Sequence, residues 1–266
     1  MARRPASGGP HDLFIFPPPT SAIGQQYYYV TQRPWPSLLF VLPGLVFFEV
    51  GSYLRSGESG RASQLVAPYL IQWLVETLRA GQGVPHLLAM APGLLLVAVL
   101  LAWHLAAGHP WRIDLSVFAG MLGESMVYTV PLLVFMYVTR GLVLAAAVAP
   151  PPDWTGEFMM CFGAGIYEEL VFRLACITLL VIVLIDVLRF PRIQAAVLIV
   201  AASALLFAFV HHPPVGKEPF DLGRFMFRTA AGLYFAGLFV FRGFGIAAGC
   251  HAFYNVIIVI MGAMRV

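Results

Sequence analysis

The chain is short of charge, of lysine and of cysteine, and each shortage excludes something. Only 11% of its 266 residues are Asp, Glu, Lys or Arg, against about 25% in soluble domains. That is too little to cover the surface of a soluble protein of this length. Fifteen of the sixteen basic residues are arginines, mostly scattered singly, so no basic patch exists for nucleic acid. The three cysteines, Cys161, Cys176 and Cys250, lie in apolar stretches without CxxC spacing. They read as buried thiols rather than a disulfide or zinc framework, with a minor site role open to Cys250 beside His251. Residues 1–34 hold no continuous apolar run of the kind a cleavable signal peptide needs. They read as a flexible or interfacial tail. What remains is apolar: 60% of the residues are hydrophobic, which marks an integral membrane protein embedded in a lipid bilayer.

A spanning helix needs about 20 mainly apolar residues. Candidates run over 38–54, 64–78, 87–107, 115–138, 158–188, 193–211, 225–241 and 246–263, with 64–78 able to span or to lie in the interface. No alternating barrel pattern occurs, and an open sheet edge is not tolerated in lipid. The expectation is an all-α polytopic transmembrane bundle of seven or eight helices. Pro150-Pro151-Pro152 divides it, since proline removes a donor and disfavours helix before it. Transmembrane helices over 35–149 precede a motif-bearing core over 158–263. With eight spans, loops on the N-terminal side carry nine Arg or Lys and the opposite loops six. The positive-inside rule then places both termini in the cytoplasm, in what reads as a bacterial cytoplasmic membrane.

Ionisable groups at membrane depth are costly and are kept mainly for function or for a structural pair. Three apolar segments carry them. The first reads Glu168-Glu169-Leu170-Val171-Phe172-Arg173. Glu169 and Arg173 stand at i, i+4, the favourable order for an ion pair. Neighbouring residues on a helix point about 100° apart, so the two carboxylates are not expected to face one spot. Glu168 is then the carboxylate left for chemistry. The second segment ends Phe207-Ala208-Phe209-Val210-His211-His212 before two prolines. Only one of the two histidines can reach a shared site, and Phe207 is expected to pack. In the third, His251 and Asn255 share one helix face. Each fragment also has a plainer reading: a buried charge cluster, a histidine against a helix dipole, or interhelical hydrogen bonding.

Together the groups suit hydrolysis of a peptide. A carboxylate and an imidazole can hold and deprotonate a water, and an imidazole and an amide can donate to the developing oxyanion. A metal version is also open, with Glu168, His211 and His251 binding zinc and leaving one position for water. The HExxH helix of soluble zinc proteases is absent, and Asn255 is a poor zinc ligand. A metal-free site is therefore favoured.

EExxxR, FxxxH and HxxxN, in that order on separate apolar helices, resemble the CPBP intramembrane protease family. That family includes CAAX-processing prenyl endopeptidases and bacteriocin-processing or immunity proteins. The resemblance runs from about residue 158 to 263. It implies that Glu168 is the catalytic carboxylate and that His211 helps position the attacking water. It implies that His251 and Asn255 bind the carbonyl oxygen in the transition state, with Glu169 and Arg173 in support. It also implies a site within the membrane, open toward the cytosol, and a membrane-associated peptide or protein as substrate. Two other readings compete. One is a non-proteolytic immunity or scaffold protein. The other is a transporter with a Glu124, Glu168 and Arg173 relay, which would predict paired halves with interrupted helices, and none is visible. Glu49 and Glu76 have no assigned role, and Glu124 reads as a packing polar group.

Overall fold

The computed structural model describes residues 21–54, 93–143, 154–216 and 218–263. These residues form eight helices and no strand. They are α1 (Ala22–Thr31), α2 (Pro34–Leu54), α3 (Gly93–Ala107), α4 (Leu115–Val143), α5 (Trp154–Val187), α6 (Arg192–Phe209), α7 (Leu222–Arg242) and α8 (Phe244–Ala263). The protein is an all-helical membrane bundle. The candidate helix at 64–78, Glu76, and the proline run at 150–152 lie outside the described residues.

Local chemistry sets three of the helix ends. Ser21 caps α1 by accepting from the Gly24 N–H at 3.1 Å. This gives a ten-residue helix inside the segment read from sequence as a tail. Its side of the bundle is anchored by Tyr27, whose hydroxyl donates to Glu124 on α4 at 2.8 Å. Asp221 caps α7 by accepting from the Arg224 N–H. Gly243 ends α7 at φ +83°, a left-handed conformation that only glycine adopts without penalty, and α8 starts at the next residue.

Among the described residues, five helices are long and apolar enough to cross a membrane: α2, α4, α5, α6 and α8. α3 is apolar but shorter. α7 has the length, but Arg224, Arg228 and Arg242 keep it out of that set. At 34 residues, α5 is about 50 Å long, against a hydrocarbon core of about 30 Å. It is interrupted by π-turns at Leu170–Ala175 and Ile182–Val187.

α8 lies at the centre, packed by α2, α4, α5 and α7, while α6 packs on α7 and α3 on α2. The interior is apolar, with Phe48, Leu96, Ile166, Phe239 and Ile246 all nearly inaccessible. The outside is apolar as well. Val127, Val130, Val134 and Val138 are each more than half exposed along one face of α4. In water such a stripe would be an aggregation hazard; facing acyl chains it is neutral.

Two partly buried carboxylates of the first half acquire structural roles. Glu124 pairs with Arg242 of α7, whose Nη2 also donates to the Thr31 hydroxyl at 3.2 Å. Glu49 accepts from the Gly93 N–H at 2.9 Å and from the Tyr167 hydroxyl. Glu124 is thus a packing group within an ion pair, remote in its contacts from Glu168 and Arg173. All three cysteines are free, but only Cys161 and Cys250 are buried; Cys176 is partly exposed. The Cys250 sulfur accepts from the Thr129 hydroxyl of α4 at 3.7 Å.

Candidate active site

The three fragments converge where α5, α6 and α8 meet. On α5, Glu168 is 5% exposed, and Glu169 and Arg173 are fully buried. Arg173 Nε lies 3.2 Å from Glu169 Oε2, the i, i+4 pair expected from the sequence. These two atoms approach without hydrogen-bond alignment, so charge rather than a directed bond joins them. Arg173 Nη2 donates to the Gly232 carbonyl of α7 at 3.3 Å. Its guanidinium sits 4.5 Å above the Phe207 ring and 5.5 Å from that of Phe235. Phe207 therefore packs, as expected, in a T-shaped arrangement against both His211 and His251.

His251 of α8 overturns one expectation. Its Nδ1 is 2.8 Å from Glu169 Oε1, while its Nε2 is 3.7 Å from Glu168 Oε2. The adjacent carboxylates diverge around the helix, yet a single imidazole reaches both because its two nitrogens point in different directions. The ring is held by Phe235, stacked on it at 4.3 Å with planes 18° apart.

This contact depends on how closely α5 and α8 cross. A Cβ added at Gly165 would lie 2.6 Å from the Ala252 nitrogen and 2.7 Å from its Cα. Only glycine allows the two backbones to meet there. The π-turn then begins immediately after Glu169. π-turns inside α-helices are rare and frequent at functional sites. Ser203 of α6 fastens the turn by donating to the Phe172 carbonyl at 2.7 Å.

His211 follows the last turn of α6. Its Nδ1 is 2.7 Å from the Phe207 carbonyl and its Nε2 is 3.7 Å from Glu168 Oε1. His212 turns away, as expected, with Nδ1 3.2 Å from the Glu218 carbonyl and its ring against Phe220. The loop after His211 is tied down by Glu218, whose carboxylate meets Arg228 at 2.6 Å and Arg224 at 3.4 Å. Burial pushes the Glu218 carboxyl up, but Arg228, with help from His211 and Arg224, holds it below the usual carboxylate range.

The geometry assigns the tautomers. A carbonyl only accepts, so His211 Nδ1 must carry a proton. Glu169 as a carboxylate likewise requires one on His251 Nδ1. Without a further proton, each ring would turn an Nε2 lone pair toward Glu168, itself an acceptor. Three acceptors facing one another at 3.7 Å call for a donor or a cation among them.

Asn255 is not drawn into this group. Its amide donates to the Cys161 carbonyl at 3.5 Å, and among the described residues it makes no hydrogen bond to Glu168, His211 or His251. The donor types Glu168, His211 and His251 suit zinc, and the anchored Nδ1 atoms resemble the outer partners of metal-bound imidazoles. Among the described residues, however, no three His, Cys, Asp or Glu groups are gathered so as to hold one metal ion.

Phe235, Gly232, Ser203 and Glu218 carry no motif, and the sequence reading did not single them out. The spacing of Gly232, Phe235 and Phe239 along one face of α7 is the signal that could have pointed to two of them.

A family model described as type II CAAX prenyl endopeptidase Rce1-like matches residues 150–257. The match covers the part of the chain that carries all three motifs, and it agrees with the CPBP resemblance. Over that stretch the chain is similar to a family of membrane proteases. No curated protein and no solved structure matches the chain.

Proposed function

We propose that the protein is an intramembrane endopeptidase that hydrolyses a peptide bond near the end of a membrane-associated or lipidated protein. The observation that carries this reading is Glu168 placed 3.7 Å from the Nε2 atoms of both His211 and His251. A water in that gap donates one hydrogen to Glu168 and the other to His211, which satisfies the facing acceptors. Its oxygen then attacks the scissile carbonyl carbon. Glu168 takes the proton as general base and returns it to the amine when the C–N bond breaks. The products are a carboxylic acid and an amine.

His251 serves the oxyanion. With Nδ1–H already committed to Glu169, it can donate from Nε2 only as an imidazolium. The charges of Glu168, Glu169, Arg173 and His251 then sum to zero, the arrangement least costly to bury. Asn255 supplies a second donor once a substrate carbonyl enters; its amide has only the Cys161 carbonyl to give up. Glu169 and Arg173 position His251 and Glu168 rather than react. Zinc is the second reading. If bound, it would be held by Glu168, His211 and His251 and would polarise the water as a Lewis acid. The absent HExxH helix and the separate anchoring of the three groups favour the metal-free route.

The bundle sits in a bacterial cytoplasmic membrane with both termini in the cytoplasm, on the weight of arginines in the loops of that side. The test compares protein termini in cells carrying the wild-type chain and cells carrying Glu168→Gln at equal membrane expression. New termini confined to the wild type support proteolysis and identify the substrate. Identical termini, with purified wild type also inactive on membrane extracts, would move the reading to a non-proteolytic immunity or scaffold protein.

A further inference from the structure

A second polar cluster lies away from the active site, where α3 ends and α2 begins. His104, in the last turn of α3, is only 1% exposed, yet neither ring nitrogen has a hydrogen-bond partner. Beside it, the Trp35 indole N–H is also buried and unpartnered. The Trp111 ring lies 4.1 Å from that of His104 and 4.8 Å from that of Trp35, T-shaped to both. His109 adds a second imidazole 6.4 Å from His104. Arg33 directly precedes α2, two residues before Trp35, and among the described residues no carboxylate pairs with it or with the exposed Arg112. The nearest acid in sequence, Asp114, is already occupied by the Ser116 amide and hydroxyl at 2.9 and 2.7 Å.

Buried polar groups are nearly always satisfied, and each exception needs an explanation. An N–H pointing at a neighbouring ring could account for one of the three orphaned atoms. It cannot account for the imidazole lone pair and a second N–H as well. The unmet groups are two donors and one acceptor, beside an arginine without a counter-charge. That set fits a headgroup whose anionic oxygens accept hydrogen bonds and whose hydroxyl donates one. The location narrows the source. The apolar run of α3 ends here, with Ala106 and Ala107 exposed, and paired tryptophans with arginines mark the level of lipid headgroups. Trp111 sits on the irregular loop between α3 and α4, half-exposed, with its ring against that of His104.

We infer that Arg33, Trp35, His104, His109 and Trp111 form a binding site for the phosphate of a membrane phospholipid. Arg33 supplies the charge, Trp35 Nε1 and one His104 nitrogen donate to phosphate oxygens, a glycerol hydroxyl of the headgroup donates to the other His104 nitrogen, and Trp111 covers the headgroup. Arg112 widens the positive field at the mouth.

The test is native mass spectrometry of the purified full chain in detergent. It is titrated separately with a phosphatidylglycerol, with the diacylglycerol of the same chains, and with inorganic phosphate. The wild type should retain one phosphatidylglycerol and no diacylglycerol. Arg33→Gln and Trp35→Phe should each weaken that retention by about tenfold, the loss of one charge-assisted hydrogen bond. Trp35→Phe keeps an aromatic ring, so it tests the N–H even if Arg33→Gln fails to fold. Saturation by inorganic phosphate alone, with no gain from the lipid, would overturn the phospholipid as source. Equal retention of diacylglycerol, or variants that hold phosphatidylglycerol as tightly as the wild type, would overturn the site.

Discussion

Replacing Arg173 by methionine separates the structural from the chemical role of the buried charges. Arg173 and Glu169 are both fully inaccessible and 3.2 Å apart. Methionine fills much of the same volume but leaves the Glu169 carboxylate with His251 as its one remaining recorded partner. Breaking a buried pair by removing one partner costs about 3–5 kcal/mol. The guanidinium stacked on Phe207 and Phe235 adds roughly 0.5–2 kcal/mol. Against a total stability on the order of 5–15 kcal/mol, the single variant should be severely destabilised. Adding Glu169→Gln removes the stranded charge while leaving an amide oxygen to accept from His251 Nδ1. The double variant should recover most of the loss, because a neutral replacement of a buried pair is often harmless. Its activity should stay low, since a neutral amide holds the His251 ring less firmly than the Glu169 carboxylate does. The assay is thermal unfolding in detergent beside peptide hydrolysis for wild type, both single variants and the double. A double variant as unstable as Arg173→Met, or one that regains full activity, would refute the reasoning.

Other outcomes follow from the same geometry. Gly165→Ala should push α5 and α8 apart at Ala252, at a cost of about 1–3 kcal/mol. It should lower kcat roughly 10–100-fold by withdrawing Glu168 and Glu169 from His251; near-normal kcat would mean that the crossing does not set the site. The Glu218 carboxyl is held below the usual range chiefly by Arg228. Its contribution is therefore present above the ordinary carboxylate pKa and lost as pH falls through its depressed value. Wild type should lose protease resistance in the loop after His211 on acidification more steeply than Glu218→Gln, and less so in high salt. Parallel curves would count against the Glu218 tether. Strong chelation should leave hydrolysis unchanged in the metal-free mechanism, and a loss restored by zinc would transfer the water-activating role to a metal held by Glu168, His211 and His251.

Much was legible because membrane burial is so selective. The low charge and long apolar runs decided the fold class, since only helices or closed barrels satisfy their backbones in lipid. The Glu169–Arg173 pair was readable from i, i+4 spacing, and His212 from its angle to His211. Glu124 was readable as a packing group, but its partner was not, and Glu49 had no assigned role, because their partners are distant in the chain. Tyr167 lies 118 residues from Glu49, and Arg242 lies 118 residues from Glu124.

By itself, then, the sequence determined which groups are buried and which of them pair along one helix, because those are local properties of composition and period. Tertiary structure alone decided that His251 bridges Glu168 and Glu169. That contact requires two backbones to touch at Gly165 and Ala252, and no periodicity within either helix records where another will cross it. The same holds for Asn255. Its helix face was readable, but its partner at Cys161 was set by the packing of α8 on α5.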